Sequence, residues 1–333
     1  QQPDTAQYDS MPRSAIVTGL VDYALPPDEM PARIMAYITH AFGRIPQREK
    51  AAPPGARLNE PLQRVFSLLR SHTRHDFSRY KHNTILRRIE RRMAVHQLET
   101  LEAYVRLLQQ DSAEIGILFR ELLIGVTNFF RDPEAFASLQ ARVIPTLLQG
   151  KRNGDMLRVW VPGCSTGEEA YSIAMLIQEQ LSQSKADIRP QIFATDIDPE
   201  AIDQARSAVY PNGIAADVLP ERLARFFTEE NGAYRVKKVI RDMVVFAEQN
   251  VADDPPFSRM DLIACRNLLI YMNGDLQRRV LPLFHYALNP MGYLFLGTSE
   301  SVGEFSDLFA PVDRKWKIFV RKPGLLPQRA AVD

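Results

Sequence analysis

The sequence predicts an α/β protein built on a parallel sheet and preceded by a separate helical domain. Three observations predict it. From Asp155 onward, short apolar runs alternate with helical segments in the pattern of βαβ units. From Pro61 to about Gly125, apolar residues recur at helical spacing without an intervening strand. The stretch Val159-Trp160-Val161-Pro162-Gly163-Cys164-Ser165-Thr166-Gly167-Glu168-Glu169-Ala170-Tyr171-Ser172 reads as a buried strand, a tight glycine loop and a helix start. That corner is where such a sheet holds a nucleotide-like ligand.

In chain order, residues 1–45 are a short segment: Met11 to Tyr23, then Pro26-Pro27-Asp28 leading into a helix from Met30 to about Phe42. It is too short to hold its own core. Gln47 to Gly55 has linker composition, and a linker is expected over 46–60. The helical domain follows over 61–130, with apolar stripes at Val65, Leu68 and Leu69, at Ile85, Leu86, Ile89 and Met93, and at Leu101, Tyr104, Val105 and Leu108. Asp132-Pro133-Glu134 supplies an N-cap, a first-turn proline and an acid, predicting a helix to about Leu148. Strands are expected at Leu157–Val161, Gln191–Thr195, Val244–Ala247, Leu262–Cys265 and Tyr293–Leu296, with a late strand at Lys317–Val320. Helices at Glu168–Gln183, Pro199–Ser207 and Leu276–Leu288 fit between them. The region 211–240 breaks this alternation, with a helix near Leu219–Phe227 and an extended Tyr234–Val239, and reads as an insertion. The α/β domain is expected over 131–322, with a flexible tail from Pro323.

A chain of 333 residues, 45% of them hydrophobic, can bury two modest cores. Its two cysteines, Cys164 and Cys265, have no C-x-x-C partner, which argues against a disulfide framework and a zinc site and for a reducing, cytoplasmic setting. No apolar run approaches the roughly 18 residues of a membrane span. The balance of 41 basic and 40 acidic residues excludes a globally basic nucleic-acid binder. Charge is nonetheless uneven. Between Pro61 and Thr100 nine Lys/Arg face three Asp/Glu, a local net of +6, so the remainder carries −5 to reach the overall +1.

In an open parallel sheet the ligand sits beyond the carboxyl ends of the strands, where strand order reverses. The residues leaving those ends are Pro162-Gly163-Cys164, Asp196-Ile197-Asp198, Asn250-Val251 and Arg266-Asn267. Gly163 and Gly167 permit close backbone approach. Glu168 and Glu169 would repel a pyrophosphate but suit a cofactor with hydroxyls, an amino group and positive charge, such as S-adenosylmethionine. An ordinary strand-turn-helix corner explains the same loop, whose spacing is not G-x-G-x-x-G. Asp196 suits ribose hydroxyls, since Asp198 before Pro199 is the more natural helix cap. Asn250 can read an adenine edge or simply start a turn. Arg266 ends an apolar strand, where burying it without purpose is costly. Tyr271 fits a half-buried core position as well as a site. Arg131 fits a salt bridge to Asp132 or Glu134 as well as a functional role. Arg87, Arg88, Arg91 and Arg92 lie on one helix face, either solvated or able to dock an acidic partner; neither a base-reading motif nor interleaved aromatics favour nucleic acid.

Taken together, four pieces resemble the CheR family of chemotaxis-receptor methyltransferases: Thr127-x-Phe129-Phe130-Arg131, Ser165-Thr166-Gly167-Glu168-Glu169-x-Tyr171-Ser172, Thr195-Asp196-Ile197-Asp198 and Cys265-Arg266-Asn267-x-x-Ile270-Tyr271. The resemblance runs from about Pro61 to Lys322. It implies a Rossmann-like class I S-adenosylmethionine-dependent methyltransferase with an all-α N-terminal domain and a small inserted antiparallel β-subdomain. It implies that Thr127, Arg131, Gly163, Glu168, Asp196, Asn250, Val251, Arg266 and Asn267 line the cofactor site, and that Arg131 and Tyr271 flank the transferred methyl. Glu168 is then expected beside Arg131. Gly125 stands where better-known members carry an asparagine. No long glycine-containing loop marks a receptor-pentapeptide tether in the insertion. The basic face Arg87, Arg88, Arg91 and Arg92 would meet the receptor's methylation helices. Residues 1–45 resemble the last part of a CheB-type methylesterase domain, with Ser10-Met11-Pro12-Arg13 in its Gly-Met-Pro-Arg region, which implies a CheB–CheR fusion. Gln2 occupies what should be the triad aspartate, so no esterase activity is expected.

The expected activity is in-line methyl transfer to receptor glutamates by a monomer, without membrane insertion. A catalytically silent sensor of S-adenosylmethionine or S-adenosylhomocysteine is the alternative from another class. A nicotinamide-dependent oxidoreductase would require a G-x-G-x-x-G turn that is absent.

Overall fold

Helix caps and apolar stripes at helical spacing shape the first 122 residues. The computed structural model describes residues 1–7, 9–17, 21–42, 59–123, 125–184 and 187–323. Of the linker expected over 46–60, residues 46–58 lie outside the described residues, and Asn59 and Glu60 already belong to a helix; the tail beyond Pro323 also lies outside them. The chain divides into two compact units, Gln1–Leu122 and Leu123–Asp333.

The first unit contains α1 (Ser10–Val17), α2 (Met30–Phe42), α3 (Asn59–Thr73), α4 (His82–Val95), α5 (Leu101–Gln110) and α6 (Ser112–Leu122). Thr100 starts α5 by accepting the Ala103 N–H at 3.2 Å, the capping role its short oxygen suits. Val65 and Leu69 of α3, Ile85 and Ile89 of α4, Tyr104 and Leu108 of α5, and Leu118 of α6 form the core, as the helical stripes predicted. At its centre lies an ionic cluster. Arg92 donates to both Glu114 oxygens, from Nε at 2.9 Å and Nη2 at 2.7 Å, and Tyr104 donates to the same carboxylate at 2.8 Å. Burial alone would raise the Glu114 pKa, but hydrogen bonds from Arg92, His96 and Tyr104 outweigh it and hold it below the usual carboxylate range.

This cluster corrects the expected docking face. Arg92 is 3% exposed and also bonds Asp22, while Arg91 pairs with Asp22 and Glu121. Both arginines are therefore neutralised within the unit, because i and i+4 spacing carried them toward the acids of α6 and the 21–29 segment rather than to solvent. Arg87 is exposed and Arg88 half-buried.

The second unit is built on a seven-stranded sheet of order β6-β2-β1-β7-β8-β10-β9. These are β1 (Met156–Pro162), β2 (Arg189–Asp196), β6 (Val244–Glu248), β7 (Met260–Cys265), β8 (Leu288–Leu296), β9 (Phe309–Asp313) and β10 (Ile318–Arg321). The first five run parallel, and every residue of β7 is buried, as expected of a central strand covered on both faces. β10 is antiparallel to β8 and β9 to β10. The edge strand β9 was not expected from the sequence: Pro311 demotes such a run, and an edge position tolerates it. The helices are α7 (Pro133–Arg142), α8 (Ile144–Gln149), α9 (Glu168–Ser184), α10 (Pro199–Ser207), α11 (Pro220–Phe226), α12 (Lys238–Arg241) and α13 (Gly274–Ala287). The single helix expected to reach Leu148 is broken into α7 and α8, since Pro145 has no N–H to carry the ladder on.

The irregular 211–240 region resolves into a three-stranded antiparallel sheet, β3 (Val209–Pro211), β5 (Ala233–Val236) and β4 (Phe227–Glu230). Asn231 and Gly232, at φ 51° and 76°, make the β4–β5 turn, which matches the twist of a two-residue hairpin. Phe129 packs edge-on against Tyr210 and Phe227, at 4.8 and 5.4 Å between centroids, and so joins this small sheet to the 125–131 segment. No helix among the described residues is long and apolar enough to cross a membrane.

Removing Arg92 would strand Glu114 as a buried, uncompensated charge. Urea denaturation of Arg92→Ala is expected to show a loss of about 3–5 kcal/mol. Arg87→Ala, on the exposed side of the same helix, should stay within about 0.5 kcal/mol of the parent.

Candidate active site

β1 lies at the middle of the parallel run, with β2 and β6 on one side and β7 and β8 on the other, so the strand order reverses between β1 and β7. The loops leaving those two strands touch: a Cβ on Gly163 would meet Leu268 at 3.0 Å. Gly163 takes φ +71° and Gly167 +95°, where an added Cβ would lie 2.9 Å from Ala205. Glycine at both is thus required by conformation and by space. The N–H groups of Gly163 and Cys164 both donate to the Thr195 carbonyl, at 2.7 and 3.0 Å, folding the loop over the end of β2.

Asp196 organises the rim. Its Oδ2 accepts the Ser165 N–H at 2.8 Å and its Oδ1 the Asp198 N–H at 3.0 Å, while Asp198 itself caps α10 through the N–H groups of Glu200 and Ala201. Each Asp196 oxygen keeps a further acceptor site. Burial raises the Asp196 pKa, opposed by those two backbone donors.

The two acids opening α9 have separate surroundings. Glu168 is buried and accepts the Thr166 hydroxyl at 2.7 Å; burial raises its pKa. Burial pushes Glu169 up to about 7, against the lowering influence of Arg266 and Arg131. Glu168 was the acid expected beside Arg131; it is Glu169 that feels the Arg131 charge. One helical position separates the two, enough to turn them to different neighbours.

The Arg266 side chain is engaged within the protein. Its side chain has no exposed surface, donates to Asp132 at 2.7 Å and Glu169 at 3.5 Å, and lies between the rings of Phe136 and Phe295, at 5.0 and 4.7 Å. It supports the loops of the rim from beneath. Arg131 sits between two left-handed residues, Phe130 at φ 51° and Asp132 at φ 58°, and bonds the Val126 carbonyl at 2.7 Å. The bland expectation for Arg131, an ion pair to Asp132 or Glu134, is not formed.

The remaining expected residues fall on the same rim or beside it. Asn267, at φ 61°, donates its N–H to Glu300 at 3.0 Å. Tyr271 is half-buried in the one-turn helix Leu269–Tyr271 that follows, and Thr127 is half-buried ahead of Arg131. Asn250 holds a turn, its side-chain oxygen accepting the Ala252 N–H at 3.0 Å, and Val251 is buried. At Gly125 an added Cβ would lie 3.2 Å from Ser165 Oγ, and the Gly125 carbonyl accepts from that hydroxyl at 3.3 Å.

Three contributors were not singled out from the sequence. Ser172 accepts the Phe130 N–H at 3.0 Å and donates to the Glu168 carbonyl at 2.7 Å, tying the Arg131 segment to α9; its place in the Glu-Glu-x-Tyr-Ser run was the available signal. Glu300 gathers the N–H groups of Gly297, Asn267 and Ile270 and shapes the turn before Tyr271. Nothing local announces it. Asp132, read as a helix cap, makes no capping bond and instead serves Arg266.

A glycine loop at the switch point, lined by acids and pinned to the second strand's aspartate, defines an S-adenosylmethionine-binding methyltransferase domain. The family models agree: "CheR methyltransferase, all-alpha domain" matches residues 60–123, and "CheR methyltransferase, SAM binding domain" matches residues 125–318. The chain belongs to the CheR methyltransferase family. It is 40% identical over 348 residues to an uncharacterized 104.1 kDa protein in the hypE 3' region of Rhodobacter capsulatus, covering 98% of this chain and 36% of that protein. The chain thus spans about a third of that relative's length. It is 35% identical to chemotaxis protein methyltransferase 1 of Pseudomonas aeruginosa, covering 62% of this chain and 78% of that protein. With the chemotaxis protein methyltransferase of Borreliella burgdorferi it shares 27% identity, covering 73% and 88%.

Two outcomes are expected. Gly163→Ala forces a Cβ against Leu268 at a left-handed φ, and calorimetry should show S-adenosylhomocysteine affinity falling by at least about tenfold. Glu169 is protonated more readily folded than unfolded, so its contribution lowers stability as pH rises from about 4.5 to about 7. Denaturant midpoints of Glu169→Gln against pH should lack that decline.

Proposed function

We propose that this domain transfers the methyl of S-adenosylmethionine to glutamate γ-carboxylates on the cytoplasmic domain of chemotaxis receptors or receptor-like signalling proteins, forming methyl esters by in-line transfer. The observation that carries this reading is the opposition of charges on one rim: Asp196 and Glu168 on the loop side, Arg131 on a doubly left-handed bend. The donor set fits the cofactor, because Asp196 keeps acceptor capacity for hydroxyls and the loop is acidic where a cationic ligand would lie. Thr127, Arg131, Gly163, Glu168, Asp196, Asn250, Val251 and Asn267 would hold it, with Arg266 bracing the loops beneath.

The cofactor supplies a methyl group on a positively charged sulfur. A glutamate acceptor, with a reference pKa of about 4.3, is already ionised near neutral pH, so no general base is required. The protein's work is placement and exclusion of water, which strips the solvation that makes carboxylates poor nucleophiles. Arg131 offers a planar fork to orient an anionic acceptor, and Tyr271 a hydroxyl donor. On the first unit, Arg87 and Arg88 are the docking residues kept in this reading; Arg91 and Arg92 are already neutralised. Residues 1–45 are read as the end of a CheB-type methylesterase domain on the resemblance of Ser10-Met11-Pro12-Arg13 to its Gly-Met-Pro-Arg region. Buried free thiols at Cys164 and Cys265 suit a reducing cytoplasm.

Tritiated methyl transfer to a cytoplasmic fragment of a chemotaxis receptor, scored as base-labile ester, tests the proposal. Arg131→Ala should lower turnover at saturating cofactor by about 100-fold or more, well beyond the loss of S-adenosylhomocysteine affinity, which should stay within about tenfold. Unchanged turnover would sink the role of Arg131. Tight S-adenosylhomocysteine binding by the parent, with no base-labile methyl on any fragment, would favour a sensor instead.

A further inference from the structure

The strand directions place a strongly basic turn on the rim that holds the site. β8 runs parallel to β7, and Ile318, the first residue of β10, pairs with Phe295 near the end of β8. Ile318 also pairs with Asp313, the last residue of β9. The β9–β10 turn, residues 314–317, therefore lies at the same edge of the sheet as Gly163, Asp196 and Asn267. Two strand spacings separate it from the end of β7, a lateral reach of about 10 Å.

That turn is Arg314-Lys315-Trp316-Lys317, and five of the nine residues 314–322 are Lys or Arg. Arg314 and Lys315 are exposed, and Lys317 is half-buried. An open groove of about 540 Å³ adjoins them, with Arg314, Lys317 and Lys322 on its walls, Pro311 and Phe319 among its apolar lining and Asp307 as its acid. Among the described residues, Arg314, Lys315, Lys317 and Lys322 form no ion pair. Asp313, the nearest acid in sequence, closes the base of the turn by accepting the N–H groups of Lys315 and Trp316, and its other oxygen accepts from Ser138 at 2.7 Å and faces Arg142 at 3.7 Å rather than any cation of the turn. With Arg314, Lys315, Lys317 and Lys322 against Asp307 and Asp313, the turn and its groove stay net positive. This contrasts with Arg91 and Arg92, whose acids are internal.

We propose that the β9–β10 turn, through Arg314, Lys315 and Lys317, docks the acidic side of the polypeptide that carries the acceptor glutamate. The inference rests on the proposed acceptor class and adds where that partner lies. A chain with its glutamate at Arg131 and Tyr271 must continue along the rim, and an acidic stretch there meets cations already in place and unpaired. Trp316 is half-buried with Lys315 over one face of its ring at 4.4 Å, which disfavours it as a platform for stacking nucleobases.

Steady-state methyl transfer to a cytoplasmic receptor fragment is compared between the parent and Arg314→Gln/Lys315→Gln/Lys317→Gln. The KM for the fragment should rise on the order of tenfold at low salt and lose most of its salt dependence, with kcat and S-adenosylhomocysteine affinity within about twofold. Poly-L-aspartate should inhibit the parent and lose potency against the variant by a similar factor. Unchanged KM together with unchanged inhibition overturns the proposal. So does loss of binding to phosphatidylglycerol vesicles or duplex DNA with the receptor KM unaffected. If the triple variant fails to fold, Arg314→Glu alone, at the exposed turn, keeps the same readouts. If the parent binds S-adenosylhomocysteine but methylates no fragment, the proposed activity has failed, and poly-L-aspartate binding by parent and variant still decides the surface.

Discussion

A guanidinium taken fully out of water is tolerated only when its charge is matched in place, and Arg266 is matched by two acids from two different elements. Asp132 leads into α7 and Glu169 lies in the first turn of α9, while Arg266 itself follows β7. One side chain therefore joins three segments at the point where strand order reverses. Its Nε has no acceptor among the described residues, so the compensation is incomplete and either acid is hard to lose. The rings of Phe136 and Phe295 flank the guanidinium at 5.0 and 4.7 Å.

From that anchor the strained segments become explicable. Holding Asp132 against Arg266 requires a left-handed backbone just before α7, and Phe130 is left-handed too. Phe130 is kept there by its N–H bond to buried Ser172, and Phe129 by the aromatic contacts with Tyr210 and Phe227. Arg131, between them, is thus aimed by its neighbours rather than by a partner of its own beyond the Val126 carbonyl. Strain of about 1–3 kcal/mol per such residue persists only where surroundings over-determine it, and it gathers at functional sites.

Much of this was legible in the sequence, and the failures have physical causes. The parallel core, the glycine loop and the capping of α10 by Asp198 followed from periodicity and capping rules, because those depend on neighbours in the chain. The β4 strand was missed because Phe227–Glu230 continues α11 without a break, although Asn231-Gly232 was a hairpin signal in plain view. Glu300 could not be read at all. It acts on N–H groups some thirty residues earlier in the chain, and no local pattern encodes that reach. Arg92 was misjudged for the same reason: a helical wheel shows which residues share a face, and says nothing of an acid supplied by Asp22, seventy residues away.

The fate of the arginines bears on how the partner is recognised. A basic stripe counted from sequence overstates the field it projects, since every cation matched internally is silent to a partner beyond a Debye length of about 8 Å. Counting only unmatched cations moves the emphasis from the Arg91 and Arg92 end of α4 toward Arg87 and Arg88, and adds the β9–β10 turn on the second unit. The proposed acceptor is a carboxylate, a group that has to be both attracted and desolvated. An unpaired cation on the rim can draw an acidic chain in, whereas the acceptor itself needs a weaker hold, because a carboxylate bound too firmly loses its nucleophilicity. Separating the two tasks, with attraction at the turn, two strand spacings or about 10 Å from the end of β7, and orientation at Arg131, lets each be tuned without cost to the other.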